Sequence, residues 1–412
     1  MALLVQKYGG TSVGDPERIR RVAERVCRCR RAGHELVVVV SAMGDTTDEL
    51  EALARRVSER PEKRHPREMD MLLTAGERIS MALVAMAIRE AGLEAISFTG
   101  SQAAIITDGR HTGARIEEIR AERVREELTA GRVVIVAGFQ GVSRAREVTT
   151  LGRGGSDTTA VALAAALGAE RCDIYTDVDG VYSADPRLVP TARLVPAVDY
   201  GEMTELAVSG ARVLHPRAVE LAARYSVVVR VLSSFGEDGA AGTLIAPRER
   251  GMEDPVLTGV ASDRGYARLT LRGLPPEMTS MTTVLTRLTG VGISVDLLAQ
   301  LDTPGGRRDL QLTVAQDELD EARAECQAVL DELGGDDVDV SVGLARVTLV
   351  GSGMHGRPGV FARAFETLRR EGVEVHAVSA SSVSITLMVD ALAEARAVAV
   401  LHEEFGLGEE TG

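Results

Sequence analysis

Five consecutive apolar residues, Leu36-Val37-Val38-Val39-Val40, constrain the fold of this chain more than any other segment. A strand with one wet face alternates apolar and polar side chains. An unbroken run of this kind is covered on both faces, as in the parallel sheets of α/β proteins. The flanking sequence agrees. Leu3-Leu4-Val5 reads as a short buried strand that runs into a glycine loop. Asp15-Pro16 supplies a helix N-cap and a proline for the first helical position, Ile19, Val22, Ala23 and Val26 recur at helical spacing, and Gly33 ends the helix. The alternation continues with a helix around 69–90, strands at 95–98 and 132–139, and a helix at about 158–167. A strand at 173–176, a helix near 216–224 and a strand at 227–232 complete it. Strands alternating with helices predict a three-layer α/β domain with a central, mainly parallel sheet over residues 1–247.

Single cores seldom grow beyond roughly 250–300 residues, so a chain of 412 residues is expected to form more than one compact unit. Arg248 to Pro255 is polar and holds glycine and proline, and residues 248–264 read as a linker. Beyond it the chain repeats itself. Ala267-Arg268-Leu269-Thr270-Leu271 is echoed by Ala345-Arg346-Val347-Thr348-Leu349, and Asp317-Glu318-Leu319-Asp320-Glu321-Ala322 by Asp390-Ala391-Leu392-Ala393-Glu394-Ala395. Each unit reads strand, helix, strand, strand, helix, which suits a ferredoxin-like β-α-β-β-α-β module. One module is expected at 265–340 and another at 341–412. Two modules after a catalytic-looking domain suggest a regulatory half.

Composition excludes some partners. The net charge of −14 leaves no basic surplus to neutralise nucleic acid phosphates. Cys27, Cys29, Cys172 and Cys326 show no metal-ligand or CxxC spacing, so reduced thiols are expected. No signal peptide is evident, and no apolar run is read as approaching the roughly 20 residues of a membrane span. A cytoplasmic protein with no membrane partner is the expectation.

Four groups of residues carry chemistry. Lys7-Tyr8-Gly9-Gly10-Thr11-Ser12 lies between a strand and a helix, where adjacent glycines let backbone N–H groups approach an anion and the lysine adds charge. A Gly-Gly turn alone is as readily structural, and this one is not a P-loop. Gly152-Arg153-Gly154-Gly155-Ser156-Asp157 opens an Ala-rich helix. Ser156 or Asp157 can cap that helix, but capping does not explain an arginine among three glycines. A guanidinium fork with room beside it suits a carboxylate or phosphate. The third group is Thr176-Asp177-Val178-Asp179-Gly180 with Tyr182, Asp185, Pro186 and Arg187, a turn with or without a ligand. The fourth, Thr74-Ala75-Gly76-Glu77-Arg78, interrupts an apolar helix. It lines a cleft or forms a salt-bridged face.

Together with Val40-Ser41-Ala42-Met43, these motifs resemble the aspartokinase family, and the resemblance runs almost the whole chain. It implies the amino-acid-kinase fold followed by two ACT modules, which carry feedback control in that family. It implies ATP and Mg²⁺ as requirements and L-aspartate as phosphoryl acceptor. The product would be 4-phospho-L-aspartate, the first intermediate toward lysine, threonine, methionine and diaminopimelate. Residue by residue, Lys7, Tyr8, Gly9 and Gly10 would lie on the phosphates, with Asp157 orienting Lys7. Glu77 would receive the aspartate ammonium and Arg153 a carboxylate, with Ser41, Thr47 and Ser156 adding hydrogen bonds. Thr176, Asp177, Tyr182, Arg187 and Arg212 would hold the nucleotide, and no residue is assigned to a metal. ACT modules commonly pair across subunits, so a homo-oligomer is implied. A shorter regulatory subunit starting near Met252 is a second form of assembly.

The chain also departs from the family. Arg212 stands where a lysine is common, which keeps the charge and alters its geometry. In the first ACT module, Pro276, Met278 and Thr279 replace an Asp-x-Pro-Gly helix start, and Gln300-Leu301 replaces Gln-Asn. The second keeps Arg357-Pro358-Gly359-Val360 but has Glu374-Val375 for Asn-Ile and Ser379-Ala380-Ser381-Ser382 for Ser-Thr-Ser-Glu. Fewer donors and a bulkier helix start predict weakened inhibition by lysine or threonine. Rival readings are a kinase for another amino acid and a sensor with an inactive kinase domain.

Overall fold

The computed structural model describes residues 2–237, 239–247, 256–354 and 359–408. The linker positions 248–255, with Met252, and Arg357-Pro358 of the second module lie outside the described residues. The chain forms two compact units, one of Met1–Tyr182 with Leu194–Asp254, the other of Ser183–Arg193 with Pro255–Gly412.

The first unit is built on an eight-stranded sheet. Its strand order is Ala197–Val198, Thr243–Ile245, Val229–Ser233, Arg171–Thr176, Leu3–Tyr8, Glu35–Val40, Val133–Ala137 and Ala95–Phe98. Every pairing is parallel except that between Val229–Ser233 and Thr243–Ile245. The run from Leu36 to Val40 is fully buried, as two covered faces require. On one face the helices Pro16–Arg31 and Pro66–Glu90 pack against Leu4, Tyr8, Leu36, Val38, Val40 and Ile135. The Asp15 side chain caps the first helix by accepting from the Arg18 N–H at 2.8 Å. The helix Gly155–Leu167, apolar nearly all round, is packed against the strands Leu3–Tyr8, Glu35–Val40 and Arg171–Thr176.

Several elements add to those expected, among them a helix whose Leu50, Leu53, Ala54 and Val57 recur at helical spacing. The helices Thr46–Val57, Glu122–Thr129 and Tyr200–Val208 were not foreseen. Nor was a four-stranded sheet of Ile105–Thr107, Ile116–Ile119, Gln140–Ser143 and Val148–Thr150, whose strands are too short to show a repeat. One expectation needs correcting: Pro66–Glu90 is a 25-residue helix long and apolar enough to cross a membrane by length and composition. Half of its most apolar stretch is buried in the domain, and Asp70 and Glu77 lie on the buried side. It is a core helix.

The second unit carries a six-stranded antiparallel sheet in the order Leu298–Thr303, Arg307–Ala315, Gly259–Leu274, Val338–Val350, Ser384–Asp390 and Val375–Ala380. Two long strands are shared. Tyr266 to Leu274 pairs with Arg307–Ala315 in the first module, whereas Gly259 to Arg264 pairs with Ala345 to Val350 in the second. Residues 259–264 are therefore a strand of the second module, not part of a linker. Segment 183–193, expected inside the catalytic domain, likewise belongs to this unit. Ala184 and Val189 join the second module's core, and the Ser183 hydroxyl meets the buried His402 imidazole at 2.9 Å. If Gly259 to Arg264 completes that core, Val260→Ala, at a position 1% exposed against Leu349 and Val389, should destabilise the regulatory unit. The expected loss is about 2 kcal/mol, read as a lower thermal midpoint.

Candidate active site

The site begins with the alternation of the first strand. Tyr8 points to the face covered by Pro16–Arg31 and Pro66–Glu90, where it is fully buried and stacks on Tyr175 with ring centroids 4.7 Å apart. Burial raises its phenol well above the ordinary value, and the hydroxyl donates to Gln6. The Tyr8 side chain therefore cannot touch a nucleotide, and its assignment to the phosphates is corrected. Lys7, one residue earlier, points to the opposite face. There its ammonium meets Asp157 Oδ1 at 2.6 Å, with the two side chains 12% and 11% exposed.

Asp157 is free for this pairing because it does not cap its helix. The N-cap is Gly154, with φ 64°, and no side chain closes that end. A Cβ at Gly154 would come within 2.2 Å of the His215 ring, so only glycine fits. Ser156 and Asp157 are displaced into the first turn, which corrects the capping expectation. Asp157 Oδ2 accepts a long hydrogen bond from the His215 N–H at 3.4 Å.

A second wall comes from Pro66–Glu90. A Cβ at Gly76 would sit 2.7 Å from that of Ala42, so glycine lets the helix press against the 41–46 loop. This close approach allows Glu77 Oε1 to accept the Ala42 N–H at 3.1 Å. Glu77 Oε2 is buried and has no hydrogen-bond partner. Burial outweighs the backbone hydrogen bonds and lifts the Glu77 carboxyl from 4.5 to about 7. A carboxylate held in this way favours a cationic ligand.

These walls enclose a cavity of about 640 Å³. It brings together Lys7, Gly10, Ser41, Thr47, Glu77, Arg153, Ser156 and Asp157. Thr176, Asp177, Tyr182 and Arg212 are not on its wall. Thr176 donates to Asp177 at 3.1 Å, and Tyr182 to Asp179 at 3.2 Å. Arg212 occupies a left-handed loop position with φ 51°. Arg187 lies in segment 183–193, where its guanidinium pairs with Asp185 at 2.7 Å. Asp48, Glu51, Arg55 and Thr112 also line the cavity without having been singled out in the sequence, and Thr150, at the start of the Gly152–Asp157 stretch, joins them. A pattern could have flagged Asp70, fully buried two helical turns before Glu77 on the same face. Thr112 gave no sequence signal.

The amino acid kinase family profile matches residues 2–233, and an ACT domain profile matches 347–405. An aspartokinase of Mycolicibacterium smegmatis is 49% identical over 413 residues, covering 99% of this chain and 97% of the relative. The chain belongs to the aspartokinase family. An aspartokinase of Geobacillus stearothermophilus is 48% identical over 410 residues, covering 100% of this chain and 98% of the relative. Among solved structures, E. coli aspartokinase III in complex with aspartate and ADP superposes with a TM-score of 0.82 at 29% identity, covering 98% of this chain and 100% of that one. The same fold organisation, an amino acid kinase domain with C-terminal ACT domain, is thus present here.

The Glu77 carboxyl generates a pH dependence. Raised to about 7, it is protonated in the free enzyme at mildly acidic pH, and only its ionised form attracts an ammonium. The kcat/KM for an amino acid acceptor should therefore rise through about pH 7, since that ratio reports the free enzyme. Glu77→Gln should abolish the step and raise the acceptor KM. Because the folded pKa is raised, the native state binds more protons than the unfolded chain between 4.5 and about 7. The ligand-free protein should lose stability as pH rises across that window.

Proposed function

We propose that this chain transfers the γ-phosphoryl group of ATP to the side-chain carboxylate of L-aspartate, giving 4-phospho-L-aspartate and ADP. The observation that carries the reading is the convergence, in one cavity, of the buried Lys7–Asp157 pair, the open Glu77 carboxylate and Arg153. An amino acid with a second carboxylate needs this set. Glu77 receives the ammonium, Arg153 takes a carboxylate, and Ser41, Thr47 and Ser156 supply hydrogen bonds. The reacting carboxylate, with an ordinary pKa near 4, is already ionised and needs no general base. Its oxygen attacks the γ-phosphorus, the bond to the bridging oxygen breaks, and ADP leaves with that electron pair. Lys7, fixed by Asp157, offsets the charge on the transferring oxygens with Gly10 on the cavity wall beside it, while the Gly9 N–H is taken by the Tyr175 carbonyl at 3.2 Å. Thr176, Asp177, Tyr182, Arg187 and Arg212 remain the proposed nucleotide contacts.

No group of three acidic, His or Cys side chains comes together as a cation cage among the described residues. A magnesium ion carried by nucleotide phosphates and water needs none. The ion would neutralise phosphate charge.

Assembly as a homo-oligomer, with or without a shorter regulatory subunit, is proposed by analogy, as is a cytoplasmic location. E. coli aspartokinase III has been solved in complex with lysine and aspartate, a T-state that superposes here with a TM-score of 0.72. In this chain the first-module helix starts at Met278, which is 66% exposed, and no side chain caps it. We expect weak feedback, as would suit an enzyme specialised for one branch of the pathway. Hydroxylamine trapping of acyl phosphate with ATP and Mg²⁺ tests both parts. Aspartate should give hydroxamate and glutamate none, and millimolar lysine plus threonine should leave most of the signal. Hydroxamate from glutamate, or none from either acid, would refute the assignment. Strong inhibition would refute the regulatory part alone.

A further inference from the structure

We propose that Asp70 is a positioning residue that fixes the wall of the acceptor subsite by holding a strained turn at Thr112. The inference rests on reading the cavity as the aspartate site. Asp70 is fully buried on the helix Pro66–Glu90 and is not itself on the cavity wall. Three groups, two from the 111–112 turn and one from the end of the strand Val148–Thr150, converge on its carboxylate. Oδ1 accepts the Thr112 N–H at 3.0 Å and the Thr150 hydroxyl at 2.5 Å, while Oδ2 meets His111 Nδ1 at 2.6 Å.

Thr112 has φ 64°, a left-handed conformation that β-branched residues rarely adopt. Such a residue persists only where its surroundings over-determine it. Here Asp70 takes the N–H of the strained residue, and the strain has a consequence at the site. A Cβ at Gly152 would lie 3.3 Å from the Thr112 carbonyl oxygen, and Gly152 itself has φ 77°. The turn thus lies close against the start of the loop that carries Arg153 and leads into the helix bearing Ser156.

A cation closes the other side. The Arg217 guanidinium donates to the carbonyls of Ala114 at 2.7 Å and Leu151 at 2.8 Å, and the Ala114 N–H donates to the Thr150 carbonyl at 2.8 Å. Two oppositely charged side chains on separate helices therefore staple residues 111–114 to 150–151. Thr112, Thr150 and Gly152 all line the cavity. Losing Asp70 releases the Thr112 turn and, with it, the approach of Arg153 and Ser156 to the acceptor.

Steady-state kinetics of the full chain test this, with Asp70→Ala, Thr112→Gly and the double variant compared per folded molecule by circular dichroism. Misplacement of a binding group should raise the aspartate KM about tenfold in Asp70→Ala, with the ATP KM changed by less than about twofold. Glycine adopts φ 64° without strain, so in the Thr112→Gly background the same Asp70→Ala change should raise the aspartate KM by less than about threefold. Equal effects in both backgrounds, or aspartate and ATP KM rising together, would overturn the proposal. If Asp70→Ala does not fold, Asp70→Asn is measured in its place: its carboxamide oxygen still accepts the Thr112 N–H, so the aspartate KM should change by less than about threefold, and a tenfold rise would overturn the proposal. An unchanged aspartate KM with intact His111 and a fully folded Asp70→Ala is equally decisive against it. Glu77→Gln separates the two levels. If it leaves the aspartate KM unchanged, the site reading fails. If it raises that KM while the Asp70 variants do not, only the present inference fails.

Discussion

The contact between Lys7 and Asp157 is the constraint on which the site depends. A lysine in the middle of a parallel sheet is costly unless its charge is matched, and removing one member of a buried pair typically costs about 3–5 kcal/mol. The pair is possible only because Tyr8 and Lys7 alternate across the strand, and because Gly154 starts the facing helix without a side-chain cap. One strand thus sends an aromatic ring into the core and an ammonium into the cavity. Glycines on three segments serve close approach: Gly154 beside His215, Gly76 of the helix Pro66–Glu90 beside Ala42, and Gly10 beside the Ala42 carbonyl.

The regulatory unit has a constraint of its own. Gly259–Leu274 and Val338–Val350 each run through both halves of the six-stranded sheet, so neither half is complete without strand residues from beyond its own repeat. Segment 183–193 adds Ala184 and Val189 to the second module's core and is continuous in sequence with Tyr182, a proposed nucleotide contact.

Much of this was legible in the sequence, and the reasons differ by element. The unbroken run from Leu36 to Val40 announced a doubly covered parallel strand, and Asp15-Pro16 marked the first helix start to the residue. Lys7, Glu77, Arg153 and Asp157, singled out through the resemblance to the aspartokinase family, line one cavity, whereas a Gly-Gly turn or a Gly-Glu-Arg step alone left a structural reading open. Tyr8 was misassigned, since a motif does not say which face a side chain takes. The capping alternative for Ser156 and Asp157 fails because propensity cannot see the His215 ring that selects Gly154. Thr112 and Asp70 were invisible, as their meaning lies in a dihedral angle and a contact between segments about forty residues apart.

The central claim is that Asp157 acts by holding the Lys7 charge at the transferring phosphoryl group. Single-turnover formation of aspartyl phosphate by Asp157→Asn, at saturating ATP and aspartate, tests it most directly. The amide keeps the shape and removes the charge that orients Lys7. The predicted result is a phosphoryl-transfer rate lower by about a hundredfold or more, with both substrates still bound. A rate equal to that of the unmodified chain would contradict the account.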